Sequence, residues 1–248
     1  MGDLIMKHVV PGLGCLVAWA LFASPFQAVL AVRGAKALGS LNPLPLVAMW
    51  ANCVAWLVYS FITVDPYVLA SNVPGLLLGS FMAISCYGFA DDRTRDRMLQ
   101  GVMAFAALLT AAGAAVSFGR FDHAGTVNIW GSTTVFILII FYCAPLSVLA
   151  EVLATRSAAA LHLPFACMNA VNGLLWSGYG LALGDAFIYG PNMVGAVFGA
   201  LQVGLCIAYP SKTPDRYKPP PPDDAEMANM LFDAGQQQGR AARGGGGG

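Results

Sequence analysis

Two sets of side chains in this sequence recur with one spacing, and their chemistry suits a neutral ligand rich in hydroxyls. Asn52, Trp56 and Tyr59 return as Asn172, Trp176 and Tyr179, 120 positions later, and Asn72 returns as Asn192. An amide supplies donors and acceptors without charge, which matches vicinal hydroxyl groups. An indole supplies a flat apolar wall for the C–H face of a polyol ring. On a helix, positions i, i+4 and i+7 share one face, so each Asn-Trp-Tyr set forms a stripe. A single tryptophan or asparagine in such a stripe reads first as helix packing. Duplication changes the balance, because a site on a symmetry axis draws on both copies. Trp56, Asn72, Trp176 and Asn192 are therefore the expected substrate-binding residues.

The same offset of 120 relates Pro25 to Pro145, Asp65 to Asp185, Gly75 and Gly79 to Gly195 and Gly199, and Cys86 to Cys206. A register held without gaps over this distance indicates a duplicated unit. The paired glycines let helix backbones approach closely and are expected to be structural.

The elements that position these residues follow from composition. Of 248 residues, 57% are hydrophobic and only 10% charged, far below the roughly 25% charged residues of soluble domains. The chain is therefore expected to be an all-α membrane protein. Seven segments approach the roughly 20 residues that a spanning helix needs: 9–31, 43–63, 67–90, 99–118, 126–150, 163–183 and 186–209. The first is expected to act as an uncleaved targeting signal, since it lacks the charged start and small-residue site of a signal peptide. Short turns such as Val64-Asp65-Pro66 and Gly184-Asp185 make their flanking helices antiparallel neighbours.

Eleven basic residues would lie on one side of the membrane (33, 36, 93, 95, 97, 156, 212, 216, 218, 240 and 243) and two, Lys7 and Arg120, on the other. This bias places the N-terminus outside and the C-terminal tail in the cytosol. Three crossings per copy would invert the second copy, so the fourth segment, rich in Ala and Gly, serves as a linker that makes the copies parallel. The expected organisation is 3+1+3: residues 1–97 form the first three-helix repeat, 98–125 the linker helix and outer loop, 126–210 the second repeat, and 211–248 a disordered cytosolic tail. The tail's Pro, Gln and Gly runs have too little apolar surface to pack.

On this topology Pro25, Pro45, Pro145 and Pro164 fall near the cytosolic helix ends. Proline removes a backbone hydrogen bond and permits a kink, so the four form an expected inner gate or hinge. Asp65 and Asp185, with Tyr59 and Tyr179 beneath them, form the expected outer gate, though a solvated turn explains each aspartate as well.

Absences narrow the function. No segment carries an ionisable residue near its middle, as ion coupling generally requires, so passive facilitated diffusion is expected. No intramembrane lysine could hold retinal, and no acid–base cluster could support intramembrane catalysis, so an enzyme is not expected. The six cysteines form no C-x-x-C pair, and neither metal nor cofactor is expected. Acidic and basic residues balance at thirteen each, so nothing attracts nucleic acid.

The motifs Ser24-Pro25, Pro45, Asn52-x-x-x-Trp56-x-x-Tyr59, Asn72-x-x-Gly75, Ala144-Pro145, Asn172-Gly173-x-x-Trp176-x-x-Tyr179-Gly180 and Pro191-Asn192-x-x-Gly195 resemble those of the SWEET (MtN3/saliva) sugar transporter family. The resemblance spans Ala18 to Tyr209. It implies bidirectional sugar uniport by alternating access, an Asn pair and a Trp site for the sugar, and a proline tetrad at the inner gate. It also implies homo-oligomerisation with one pore per protomer. A mono- or disaccharide substrate and a lipid bilayer are the expected partners, with the plasma membrane as the expected location and an internal membrane as the alternative. Two bulky indoles narrow the cavity, so a hexose such as glucose is expected over a disaccharide. A PQ-loop carrier of another small solute is an alternative, opposed by Ser-Pro and Ala-Pro in place of Pro-Gln. A seven-helix receptor is another, opposed by the three-helix duplication.

Overall fold

The computed structural model describes residues 2–159 and 161–209, with the side chains of 141–145 and 147 outside that description. The expected disordered tail, 211–248, lies outside the described residues. Helix α1 (Gly2–Ala35) begins through a π-helical turn at Ile5–Val9 and is divided by a turn at Ser24-Pro25 into Val10–Ala23 and Phe26–Ala35. There follow α2 (Leu44–Thr63), α3 (Pro66–Tyr87), α4 (Asp92–Gly119), α5 (His123–Thr155), α6 (Leu163–Leu183) and α7 (Ala186–Ala208).

The packing closes these helices into a ring. α1 lies against α3, α3 against α2, α2 against α5, α5 against α7, α7 against α6, and α6 against α1. Each copy thus has the spatial order first–third–second helix, and the two copies meet at α1·α6 and α2·α5, which the duplication interchanges. A pseudo-two-fold axis runs through the middle of the ring. The unduplicated α4 packs on α2 and α5.

Six spans are long and apolar enough to cross a membrane: α1, α2, α3, α4, α7 and the His123–Ile140 part of α5. α6 has the length, but Asn169, Asn172, Ser177 and three glycines make it less apolar. Its polar residues cannot be left facing lipid.

Helix starts are built from the residues that termini require. Asp65, Asp91, Asp122 and Asp185 each occupy an N-cap and accept backbone N–H bonds of α3, α4, α5 and α7. The capped, charged turn Asp92–Met98 extends α4 beyond the apolar run that begins at 99. Pro45 and Pro164 sit in the first turn of α2 and α6, where a missing N–H costs nothing. Neither proline therefore kinks its helix. Pro25 does break α1, and Pro74 and Pro191 lie inside α3 and α7. Pro74 leaves the Ala70 carbonyl without its helical donor, and Trp19 Nε1 supplies one at 3.0 Å, joining α1 to α3. At the other end of that pair, Arg33 Nη1 donates to Ser85 Oγ at 3.0 Å and its guanidinium lies 5.4 Å from the Phe81 ring centre.

The α6–α7 pair packs through glycines. A Cβ on Gly173 would stand 2.5 Å from the Ala196 backbone nitrogen, and one on Gly199 would stand 2.5 Å from that of Ala170. Backbone cannot give way as a side chain can. Gly173→Ala is expected to destabilise the protein by about 1–3 kcal/mol as the helices part, read as a lower Tm in detergent. An unchanged Tm would contradict this close approach.

The turn between α2 and α3 stores strain that its counterpart avoids. Val64 caps α2 with φ of 54°, whereas Gly184 caps α6 with φ of 70°. The left-handed region costs an L-residue roughly 1–2 kcal/mol, and a β-branched side chain tolerates it poorly. Val64 is 83% exposed, so little packing is lost on its removal. Val64→Gly is expected to raise stability by about 0.5–1 kcal/mol once the entropy cost of glycine is deducted, measured as an increase in Tm.

Candidate functional site

The end of the ring that holds the α2–α3 and α6–α7 turns is shut by a reciprocal pair of bonds. The Tyr59 hydroxyl donates to Asp185 Oδ2 at 2.8 Å, and the Tyr179 hydroxyl donates to Asp65 Oδ2 at 2.9 Å. Each aspartate uses Oδ1 to cap its own helix, with Asp65 accepting from the Tyr67 and Val68 N–H groups and Asp185 from those of Phe187 and Ile188. A solvated turn does not describe Asp65, which is only 7% exposed. The four expected outer-gate residues come together, but each tyrosine pairs with the aspartate of the other copy rather than its own. Spacing along the chain carries no information about that exchange.

Aromatic rings repeat the symmetry. Tyr59 stands edge-on to Trp56 at 5.7 Å, and Tyr179 to Trp176 at 5.8 Å. Tyr59 also meets Phe187 at 6.1 Å, as Tyr179 meets Tyr67 at 5.8 Å. These rings join Cys15, Val68, Leu138 and Ile188 in one buried cluster. Tyr67 and Phe187 were not singled out in the sequence, although the 120-residue offset relates them. Trp176 also packs against Gly14 of α1, where a Cβ would lie 3.1 Å from the indole.

The amides of α3 and α7 are each tied to their own helix. Asn72 Nδ2 donates to the Val68 carbonyl at 2.8 Å and to Ser71 Oγ at 3.0 Å. Asn192 Nδ2 donates to the Ile188 carbonyl at 2.8 Å. This back-bond to the preceding turn locks both amides in one orientation. It leaves Asn72 with Oδ1 for a ligand, and Asn192 with Oδ1 and a second N–H. The arrangement is therefore two-fold in position but not in hydrogen-bonding capacity.

Asn52 and Asn172, which share the Trp and Tyr stripes, add a further feature. Both Oδ1 atoms are buried and accept no hydrogen bond from the described residues. An unsatisfied buried acceptor costs about 1–3 kcal/mol, and such groups call for an explanation. Their recurrence in both copies was the available signal. Asn172 lines a small cleft between α6 and α7 with Asn169, Gly173, Asn192, Gly195, Phe198 and Gln202. Pro145 lies within α5, with its side chain outside the described residues. Pro25, Pro45 and Pro164 lie at helix breaks or starts, as described above.

Residues 8–94 and 128–214 each match the family described as "Sugar efflux transporter for intercellular exchange", at the same 120-residue offset. The bidirectional sugar transporter SWEET7b of Oryza sativa subsp. indica is 27% identical over 217 residues, covering 86% of this chain and 81% of that protein. The bidirectional sugar transporter SWEET7 of Arabidopsis thaliana is 26% identical over 215 residues, covering 84% and 83%. A solved eukaryotic SWEET transporter superposes with a TM-score of 0.76 at 24% identity, covering 84% of this chain and 99% of that one.

Proposed function

This chain belongs to the family of sugar efflux transporters for intercellular exchange, and we propose that it is a bidirectional uniporter for a neutral hexose such as glucose. It is a multi-pass integral membrane protein, and its family is one of transporters rather than enzymes. The observation that carries the proposal is the reciprocal Tyr59–Asp185 and Tyr179–Asp65 closure beside the paired tryptophans and asparagines. Two matched halves that meet on an axis can rock against each other around a fixed site.

In this reading Trp56 and Trp176 flank the apolar faces of the sugar, and Asn72 and Asn192 bind its hydroxyls. The Tyr–Asp pairs form the outer gate, shut in the present conformation. Pro25, Pro45, Pro145 and Pro164 belong to the inner gate, with the break at Pro25 as its clearest hinge. Residues 1–97 and 126–210 are the two moving repeats, 98–125 joins them, and 211–248 is a cytosolic tail. The basic residues orient the N-terminus outward. The plasma membrane is the proposed location and a homo-oligomer with one pore per protomer the proposed assembly.

Glucose is preferred over sucrose because indoles at both related positions narrow the cavity. Uptake of radiolabelled sugars by the purified protein in liposomes tests this. Glucose is expected to enter at least tenfold faster than sucrose; faster sucrose entry overturns the hexose assignment.

A further inference from the structure

The two copies differ on the side of the site remote from the Tyr–Asp closure. Counting three residues back from the shared asparagine gives Met49 in α2 but Asn169 in α6. Counting ten residues on from the third-helix asparagine gives Met82 in α3 but Gln202 in α7. The methionines are spent on packing: both are buried in the first copy's core, and Met49 Cε reaches Gly79. The amides are not. Asn169, Asn172 and Gln202 open on one cleft of about 40 Å³ that also reaches Asn192. Gln202 is only 6% exposed and lines this cleft, and Asn172 Oδ1 is buried with no hydrogen-bond partner among the described residues. Buried polar groups without partners are costly inside a membrane protein and mark ligand paths.

We propose that Asn169 and Gln202, with Asn172, form a second polar station for sugar hydroxyls on the inward leg of the pathway, built by the second repeat alone. The inference rests on the reading of the chain as a sugar carrier. At 1.5 Å per residue, Gln202 lies roughly 15 Å along α7 from Asn192, so the station extends the site toward the proline end. By volume the cleft holds about three waters, or the hydroxyl-bearing edge of one ring. Sugar leaving the central site inward thus passes from asparagine to asparagine and glutamine on one wall, while the opposite wall stays thioether and apolar. The station makes the carrier's inward-facing affinity higher than the duplication alone would give.

Restoring symmetry tests this. In the full chain, Asn169→Met with Gln202→Met copies the first repeat. Labelled glucose flux is measured from each face, in inside-out and right-side-out membrane vesicles. The KM at the inner face is expected to rise five- to twentyfold, while that at the outer face moves less than twofold. A passive carrier keeps the ratio of maximum rate to KM equal in both directions, so the inner maximum rate rises with KM. An unchanged inner KM, or equal shifts at both faces, overturns the station. Should the double variant fail to fold, Asn169→Ser and Gln202→Asn carry the same test, with an inner KM at least twofold higher expected and an unchanged one overturning the proposal. Absence of glucose flux in the wild type would instead overturn the function on which it rests.

Discussion

Tyr59→Phe combined with Tyr179→Phe is expected to reduce sugar transport at least tenfold while the protein still folds and reaches the membrane. The phenylalanines keep the edge-on contacts to Trp56 and Trp176 and remove only the hydroxyls that bridge to Asp185 and Asp65. The aspartates keep their N-cap bonds, so helix stability and gating are separated. A hydrogen bond to a charged acceptor contributes roughly 1.5–3 kcal/mol. Losing two shifts the balance between closed and open outer ends by at least a hundredfold, since 1.4 kcal/mol is a factor of ten. A carrier that cannot shut outside cannot open inside with its load. Cys15, buried among the gate aromatics, supplies an independent readout: its labelling by a membrane-impermeant maleimide is expected to rise sharply in the double variant. Normal transport with Cys15 still protected would show that these bonds do not govern the gate.

The second large effect is expected at the amides. Asn192→Ala should lower glucose transport by about a hundredfold, and Asn72→Ala by at least tenfold. The difference follows from the structure. Asn192 holds Oδ1 and one N–H in reserve, whereas Asn72 has committed both N–H groups to Val68 and Ser71 and keeps only Oδ1. Each hydroxyl left unpaired in a desolvated site costs about 1–3 kcal/mol. Asn72→Ala also removes two internal bonds, so a lower Tm should accompany its loss of transport. Asn192→Ala should change Tm less. Uptake close to wild type in either variant, at equal surface expression, would remove that residue from the site.

Much of this molecule was legible in its sequence, and the limits of that reading have physical causes. The span expected at 163–183 is helical over those residues, and the turn at Gly184-Asp185 is where it was expected. Apolar length and turn residues decide such boundaries locally. α4 begins at Asp92 rather than 99 because an N-cap, not hydrophobicity, starts it. The meaning of the duplication was partly legible too. One offset indicated that Tyr59 and Tyr179 are equivalent, and so are Asp65 and Asp185. Which tyrosine meets which aspartate depends on closure of the ring through α1·α6 and α2·α5, and no local pattern encodes that. The prolines carry a different ambiguity. Pro45 and Pro164 share a depth with Pro25, but helix position decides whether a proline bends a helix or merely starts one. Asn52 and Asn172 were visible as a repeated pair. Their unpartnered oxygens emerged only once every neighbour was placed.

The central claim is that this chain moves sugar passively, in both directions, through one site shared by its repeats. The most direct test is labelled glucose flux in liposomes holding only the purified protein, with and without an imposed pH gradient. The account predicts that internal glucose rises to the external concentration and no further, that preloaded glucose leaves at a comparable rate, and that the gradient changes neither. Accumulation above the external concentration when the gradient is applied, or no protein-dependent flux at all, would contradict it.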